Sequence, residues 1–207
     1  MCWNSPISIV TFIIEVTICI YLFRRNKNFD RMNSIFILSF SLIQLLEGFI
    51  WLGVSDKCEY NGFVSLIPIA LWLQPLAQSY GLYYVYKNNK DLGRLIDVKY
   101  IPIILMFLYM IFFVYSIFKN KKSVVTIGEH KHLNWNCGQA ILDNSLMIFV
   151  YLFGILFPLF LTKQWKLIIV VLITLIYSLY NYFMSKESSS FWCFLGLLYA
   201  IVAVFQN

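Results

Sequence analysis

Thr162-Lys163-Gln164-Trp165-Lys166 sets the number of helices in this chain. Without it, residues 141–184 would form one apolar run about twice the length a bilayer requires, since roughly 20 residues cross a hydrocarbon core of about 30 Å. Two lysines and an interfacial tryptophan do not sit in hydrocarbon, so the run divides there. Working outward from this break, seven apolar stretches emerge: 5–23, 33–53, 62–86, 101–118, 141–161, 166–184 and 190–204. The expected fold is all-α, a polytopic transmembrane bundle of seven helices forming a single domain over residues 1–207.

Composition agrees. The 207 residues are 60% hydrophobic and 13% charged, with charge confined to short connecting segments. A soluble domain of this length would spread charge along every exposed helix. The net charge of +6 forms no continuous stripe, so no nucleic-acid partner is expected. The basic residues read as topology signals. Arg24, Arg25, Lys27 and Arg31 follow the first span, Lys87, Lys90, Arg94 and Lys99 the third, and Lys163 and Lys166 the fifth. Fewer lie on the other side: Lys57, Lys119, Lys121, Lys122, Lys131 and Lys186. The positive-inside rule therefore places the N-terminus outside and the C-terminus in the cytosol, with residues 1–23 a retained anchor. Trp3, Trp51, Trp135 and Trp192 then fall near the outer boundary and Trp165 near the inner one, as an aromatic belt; Trp72 lies mid-span.

Cys2, Cys58, Cys137 and Cys193 all fall on the expected outer side, which suits an oxidising compartment. Cys58 with Cys137 forms the preferred disulfide, pinning the largest outer loop over the bundle. Cys2 with Cys193 is a second candidate pair if spans one and seven are neighbours. Free thiols packed as small hydrophobes are the alternative. His130 and His132 match no strong zinc spacing and are expected to be solvated loop residues. No metal site and no cofactor is expected, and the two histidines exclude a bis-histidine haem in the bundle.

Two spans carry a carboxylate in their interior, Glu15 and Glu47, while Asp143 and Lys166 stand only at span ends and no other Lys, Arg or His lies within a span. An ionised carboxylate in hydrocarbon costs at least a few kcal/mol, so each must be protonated, hydrated or matched from elsewhere. Glu15 lies near the midplane, roughly 15 Å deep at 1.5 Å per residue. In span two, Ser41, Gln44, Glu47 and Trp51 share one helix face at spacings of three, three and four. Span three carries Gln74 and Gln78 around Pro75, which frees the carbonyl of Leu71, while Pro68 is expected to free Val64. Thr174, Tyr177, Ser178 and Asn181 form a polar stripe in span six. One reading is interhelical glue, at about 0.6 kcal/mol per hydrogen bond. The other is an outward-facing pocket lined by Glu47, Gln44, Gln74, Gln78, Glu15 and Trp51, suited to proton exchange, cation coordination or capture of an amine. Glu47 is favoured as the ligand group near the mouth, and Glu15 as the holder of a proton in the core.

Heptahelical receptors share this outline but not its motifs. Span three ends in Tyr84-Val85-Tyr86-Lys87 rather than an Asp-Arg-Tyr-like triplet, span seven lacks Asn-Pro-x-x-Tyr, and without a lysine there it cannot hold a retinal Schiff base. The histidine trio of ceramidase-like membrane hydrolases is missing too. Met1-Cys2-Trp3 with Ser5, Glu47 ahead of Trp51, Cys58, and Ser190-Phe191-Trp192-Cys193 carry another likeness. Through them the chain resembles a family of small, uncharacterised seven-helix membrane proteins from microbial eukaryotes and large DNA viruses. That resemblance implies a membrane location and the same helical fold, and no activity.

Three functions compete. The first is binding of a small molecule, cation or proton in the membrane, with or without transport, the chain acting alone or as an oligomer in the lipid bilayer. The second is a receptor-like or host-modulating role through protein contacts. The third is an intramembrane lipid enzyme; it ranks last because no nucleophile–base pair or metal set accompanies the carboxylates, so no catalytic residues are named.

Overall fold

The computed structural model describes residues 4–88, 100–119, 124–128, 131–135, 137, 145–182 and 188–206. They form α1 (Ser5–Arg25), α2 (Asp30–Ile50), β1 (Glu59–Tyr60), α3 (Ile67–Asn88), α4 (Ile101–Lys119), β2 (Val124–Ile127), β3 (Leu133–Trp135), α5 (Ser145–Leu161), α6 (Trp165–Tyr182) and α7 (Ser188–Val204). Each helix overlies one of the seven apolar stretches. Four helical lengths, Ser5–Arg25, Asp30–Gly53, Gly62–Asn88 and Ile101–Phe118, are long and apolar enough to cross a membrane. Leu146–Leu161 and Trp165–Tyr180 are apolar but shorter.

The helix ends follow from local chemistry. Asn4 caps α1 by accepting the Ile7 N–H at 3.0 Å, and Asn26 ends it in the left-handed region at φ 51°. The Thr162–Gln164 break is a helix-terminating turn: Lys163 is left-handed at φ 56°, and the Gln164 N–H donates to the Leu159 carbonyl at 2.9 Å. Thr162 adds its hydroxyl to the Pro158 carbonyl at 2.8 Å. Arg25 locks the corner between α1 and α2. It pairs with Asp30 at 2.7 Å and donates to the Val204 carbonyl at 2.6 Å, placing a cation on the free carbonyls that end α7.

α2 and α3 form the centre: 56% of each apolar window is buried, against 28% for α1 and 22% for α4. α1 packs on α2, α2 on α3 and α3 on α4, while α5 also leans on α3 and α6 on α7. α7 returns to both α1 and α2, so the first and last helices are neighbours, as a closed ring requires. Trp72 fills the α3–α4–α5 junction, stacked on Phe112 at 4.5 Å and edge-on to Tyr151 at 6.1 Å.

The connections depart from a purely helical fold. β1, β2 and β3 form an antiparallel three-stranded sheet in that order, with Glu59 opposite Val125 and Val125 opposite Trp135. Cys58, just before β1, is disulfide-bonded to Cys137, just after β3, with Cα atoms 5.9 Å apart. This closes the sheet edge to edge at the end of the bundle where α1 begins. We call this the sheet end, and the opposite one the turn end. β3 rests on α7. Trp135 is buried beneath the sheet instead of standing in a belt, because it faces inward beside Val125 and Leu133. His132, just before β3, is likewise buried and not solvated. Pro68 corrects another expectation: it occupies the first turn of α3, where an N–H has no partner to lose, and the Val64 carbonyl accepts the Ile67 N–H. Pro75 alone is interior to α3. The side chains of Cys2 and Cys193, and of Asn181, lie outside the described residues.

Candidate functional site

The buried face of α1 reads Ser8, Thr11, Glu15, Cys19 and Leu22, at the spacings of three and four that keep side chains on one side of a helix. It lies against α2. Two contacts fix the register of this antiparallel pair. Toward the turn end, Cys19 Sγ meets Ser34 Oγ at 3.1 Å. Toward the sheet end, Gly48 lets Ile9 approach so closely that an added Cβ would stand 2.6 Å from Ile9 Cδ1. Gly48 beside Ile9 puts Glu47 near the height of Val10, with Glu15 about 7–8 Å farther toward the turn end at 1.5 Å per residue.

Side-chain direction shortens that separation. Helical side chains lean toward their own N-terminus. Because α1 and α2 are antiparallel, Glu15 leans toward the sheet end and Glu47 toward the turn end. Each side chain therefore leans toward the other's end of the helix pair. Gln44 lies one turn along α2 from Glu47 and is buried.

These groups are buried: Glu15 is 1% exposed, and Ser8, Gln44 and Glu47 are 0% exposed. Neither carboxyl oxygen of Glu15 has a hydrogen-bond partner, and neither does Ser8 Oγ. The Ser8 hydroxyl is unusual for this protein. Ser41, Ser79 and Thr174 bond back to carbonyls three or four residues earlier in their own helices. That is the ordinary way a helix satisfies a hydroxyl. No Lys, Arg or His lies in the helical stretches 5–23, 33–50 or 67–86 that surround the pair.

The other expected ligand residues are placed as follows. Trp51 sits one turn beyond Glu47 at the sheet end, half-buried, its indole N–H without a partner. Gln74 accepts a short hydrogen bond from the Tyr151 hydroxyl of α5 and leaves its amide nitrogen without a partner. Gln78 is buried, and neither its amide oxygen nor its amide nitrogen is hydrogen-bonded. The structure thus buries Glu15 on α1 and Gln44 and Glu47 on the packed neighbour α2, and ties Gln74 of α3 to α5. Among the described residues, no three or more His, Cys, Asp or Glu side chains gather as a metal-binding group.

Sequence reasoning missed Ser8 and Thr11, which share the buried face of α1 with Glu15; their spacing to Glu15 was the available signal. It also missed a second polar cluster near the turn end. There the Tyr199 hydroxyl donates to Asn33 Oδ1 at 2.9 Å, and Asn33 Nδ2 to Gln164 Oε1 at 2.9 Å. Gln164 Nε2 continues to Thr162 Oγ1 at 2.8 Å and to Met32 Sδ at 3.7 Å. Comparison with protein-family models, with curated proteins and with solved structures gives no match.

Proposed function

We propose that this is an integral membrane protein that binds a proton or small cation in the seam between α1 and α2, through Glu15 and Glu47. The observation that carries the reading is the burial of Glu15 and Glu47 on two helices packed together, with no Lys, Arg or His in the helical stretches 5–23, 33–50 and 67–86. In a low-dielectric interior ionised carboxylates lack solvation and repel each other, so a bound proton or cation is favoured there. Gln44 is positioned to orient the pair, and Trp51 stands on the path from the sheet end. The disulfide supports placing the sheet end outside, since such bonds persist in oxidising compartments.

Infrared spectroscopy of the purified protein tests this. The reading expects a protonated-carboxyl C=O band, or a carboxylate band that shifts with cation, which changes in Glu15→Gln and in Glu47→Gln. A wild-type spectrum with neither band sensitive to these substitutions would overturn it.

A further inference from the structure

We propose that the corner where α1, α2 and α3 meet at the turn end binds the phosphate headgroup of an anionic phospholipid, with Arg31 at its centre. This rests on the membrane location in the reading above and is independent of Glu15 and Glu47. Two arginines of the same corner make the case by contrast. Arg25 is saturated by the chain: its Nε and Nη2 donate to the Asp30 carboxylate at 2.7 Å each, and its Nη1 to the Val204 carbonyl at 2.6 Å. Arg31 is held differently. Its guanidinium carbon lies 5.1 Å from the centre of the Phe23 ring and 5.3 Å from that of Tyr84, and its Nη1 donates to the Tyr84 hydroxyl. Its Nε has no acceptor. Among the described residues Arg25–Asp30 is the single ion pair, so no carboxylate neutralises Arg31. Aromatic rings attract a cation without neutralising it, and the planar fork of a guanidinium fits phosphate oxygens.

The surroundings add donors and charge of the same sign. The Tyr84 hydroxyl accepts from Arg31 and keeps its own hydrogen to donate. Lys87 follows Tyr84 by one turn of α3 and is exposed. Arg24, next to Phe23, and Lys27, in the connection to α2, are exposed as well. Asp30 is the one acid described at these three helix ends, and Arg25 occupies it. At the sheet end, by contrast, Lys57 stands between Asp56 and Glu59 in the chain.

Depth selects the partner. These groups stand where α1 ends and α2 begins, a full apolar helix length from the sheet end. Trp165, at the same turn end, is 52% exposed, as an interfacial tryptophan is. Lipid phosphates lie at that level, and basic residues gathered just beyond a span attract anionic headgroups by about fivefold per charge. A soluble phosphate offers the same oxygens, so the test separates the two.

Purified full-length protein in detergent is mixed with equal amounts of phosphatidylglycerol and phosphatidylcholine, and the retained lipids are read by native mass spectrometry. Phosphatidylglycerol should be retained in preference. Lys87→Gln should lower its affinity about fivefold, Arg31→Gln by more, and Lys57→Gln not at all. Because Lys87 is exposed, its variant carries the test where Arg31→Gln fails to fold. Equal retention of the two lipids overturns the proposal, as does a preference that ignores Lys87→Gln, or one that Lys57→Gln lowers as much. If inorganic phosphate raises the thermal midpoint of the wild type but not of Lys87→Gln, while phosphatidylglycerol does neither, the corner serves a soluble phosphate and the lipid proposal falls. Release of the protein from membranes by alkaline carbonate would bring down the membrane reading and this proposal together. A protein that stays in the membrane and shows no anionic preference brings down this proposal alone.

Discussion

Two buried polar regions of this bundle look alike in composition and differ in how their hydrogen bonds close. Near the turn end, Tyr199, Asn33, Gln164 and Thr162 form a chain in which each donates to the next acceptor at 2.8–2.9 Å. In the seam, Glu15 and Ser8 are as deeply buried but their oxygens have no protein partner. A buried polar group that is satisfied internally stabilises and fixes geometry. One that is not costs about 1–3 kcal/mol until something else satisfies it. The turn-end chain is therefore a structural lock joining α2, α7 and the α5–α6 turn. In the seam, the proposed function assigns that compensation to a bound proton or cation.

The sharpest way to break this contrast is to remove the centre of the lock. Asn33→Leu strands the Tyr199 hydroxyl and Gln164 Oε1 together, so it should cost about 2–3 kcal/mol in a detergent unfolding titration. The carboxyl infrared signal of Glu15 and Glu47 should survive. A loss below about 0.5 kcal/mol would show that the lock is not structural.

The mirror experiment carries the opposite sign. Glu15→Leu replaces a desolvated, unpartnered carboxyl with an apolar side chain of similar size and should stabilise the protein by about 1 kcal/mol. Measured by the same titration in choline chloride, a destabilisation as large as that of Asn33→Leu would make Glu15 interhelical glue and erase the distinction. Tyr199→Phe removes one donor and leaves Asn33 Oδ1 short of a partner. About 1 kcal/mol is expected, with the carboxyl infrared signal unchanged.

The sequence exposes these two regions unequally. Glu15, Gln44 and Glu47 were legible because an acid without a base in an apolar run is rare, and a three-residue spacing fixes the shared face. The helix positions were legible for a similar reason: hydropathy sums locally, and the Lys163–Lys166 break contradicts one long helix. The Cys58–Cys137 bond followed from which side each cysteine occupies. The lock was not legible. Asn33, Gln164 and Tyr199 lie far apart in the chain, and the first two sit at span ends where polar residues are ordinary. Their pairing exists only once α7 packs back on α2. The sheet was hidden as well, since strands of two to four residues carry no usable alternation, and the burial of His132 and Trp135 depends on it.

The smallest effect gives the finest discrimination. Ser8 sits in the first turns of α1, where the Asn4 carbonyl already accepts its own N–H at 3.3 Å and its hydroxyl bonds to nothing. If the hydroxyl were structural, Ser8→Ala would cost the roughly 1 kcal/mol of a lost hydrogen bond. Because it is unsatisfied, the change in choline chloride should stay within about 0.5 kcal/mol, and alanine's better helix propensity should offset part of it. In an alkali salt the wild type should gain stability from the bound ion by mass action, and Ser8→Ala should gain less. A stability difference that opens with salt places the hydroxyl on the ligand. One of equal size in both media places it in the packing, and the seam would then differ from the lock only in degree.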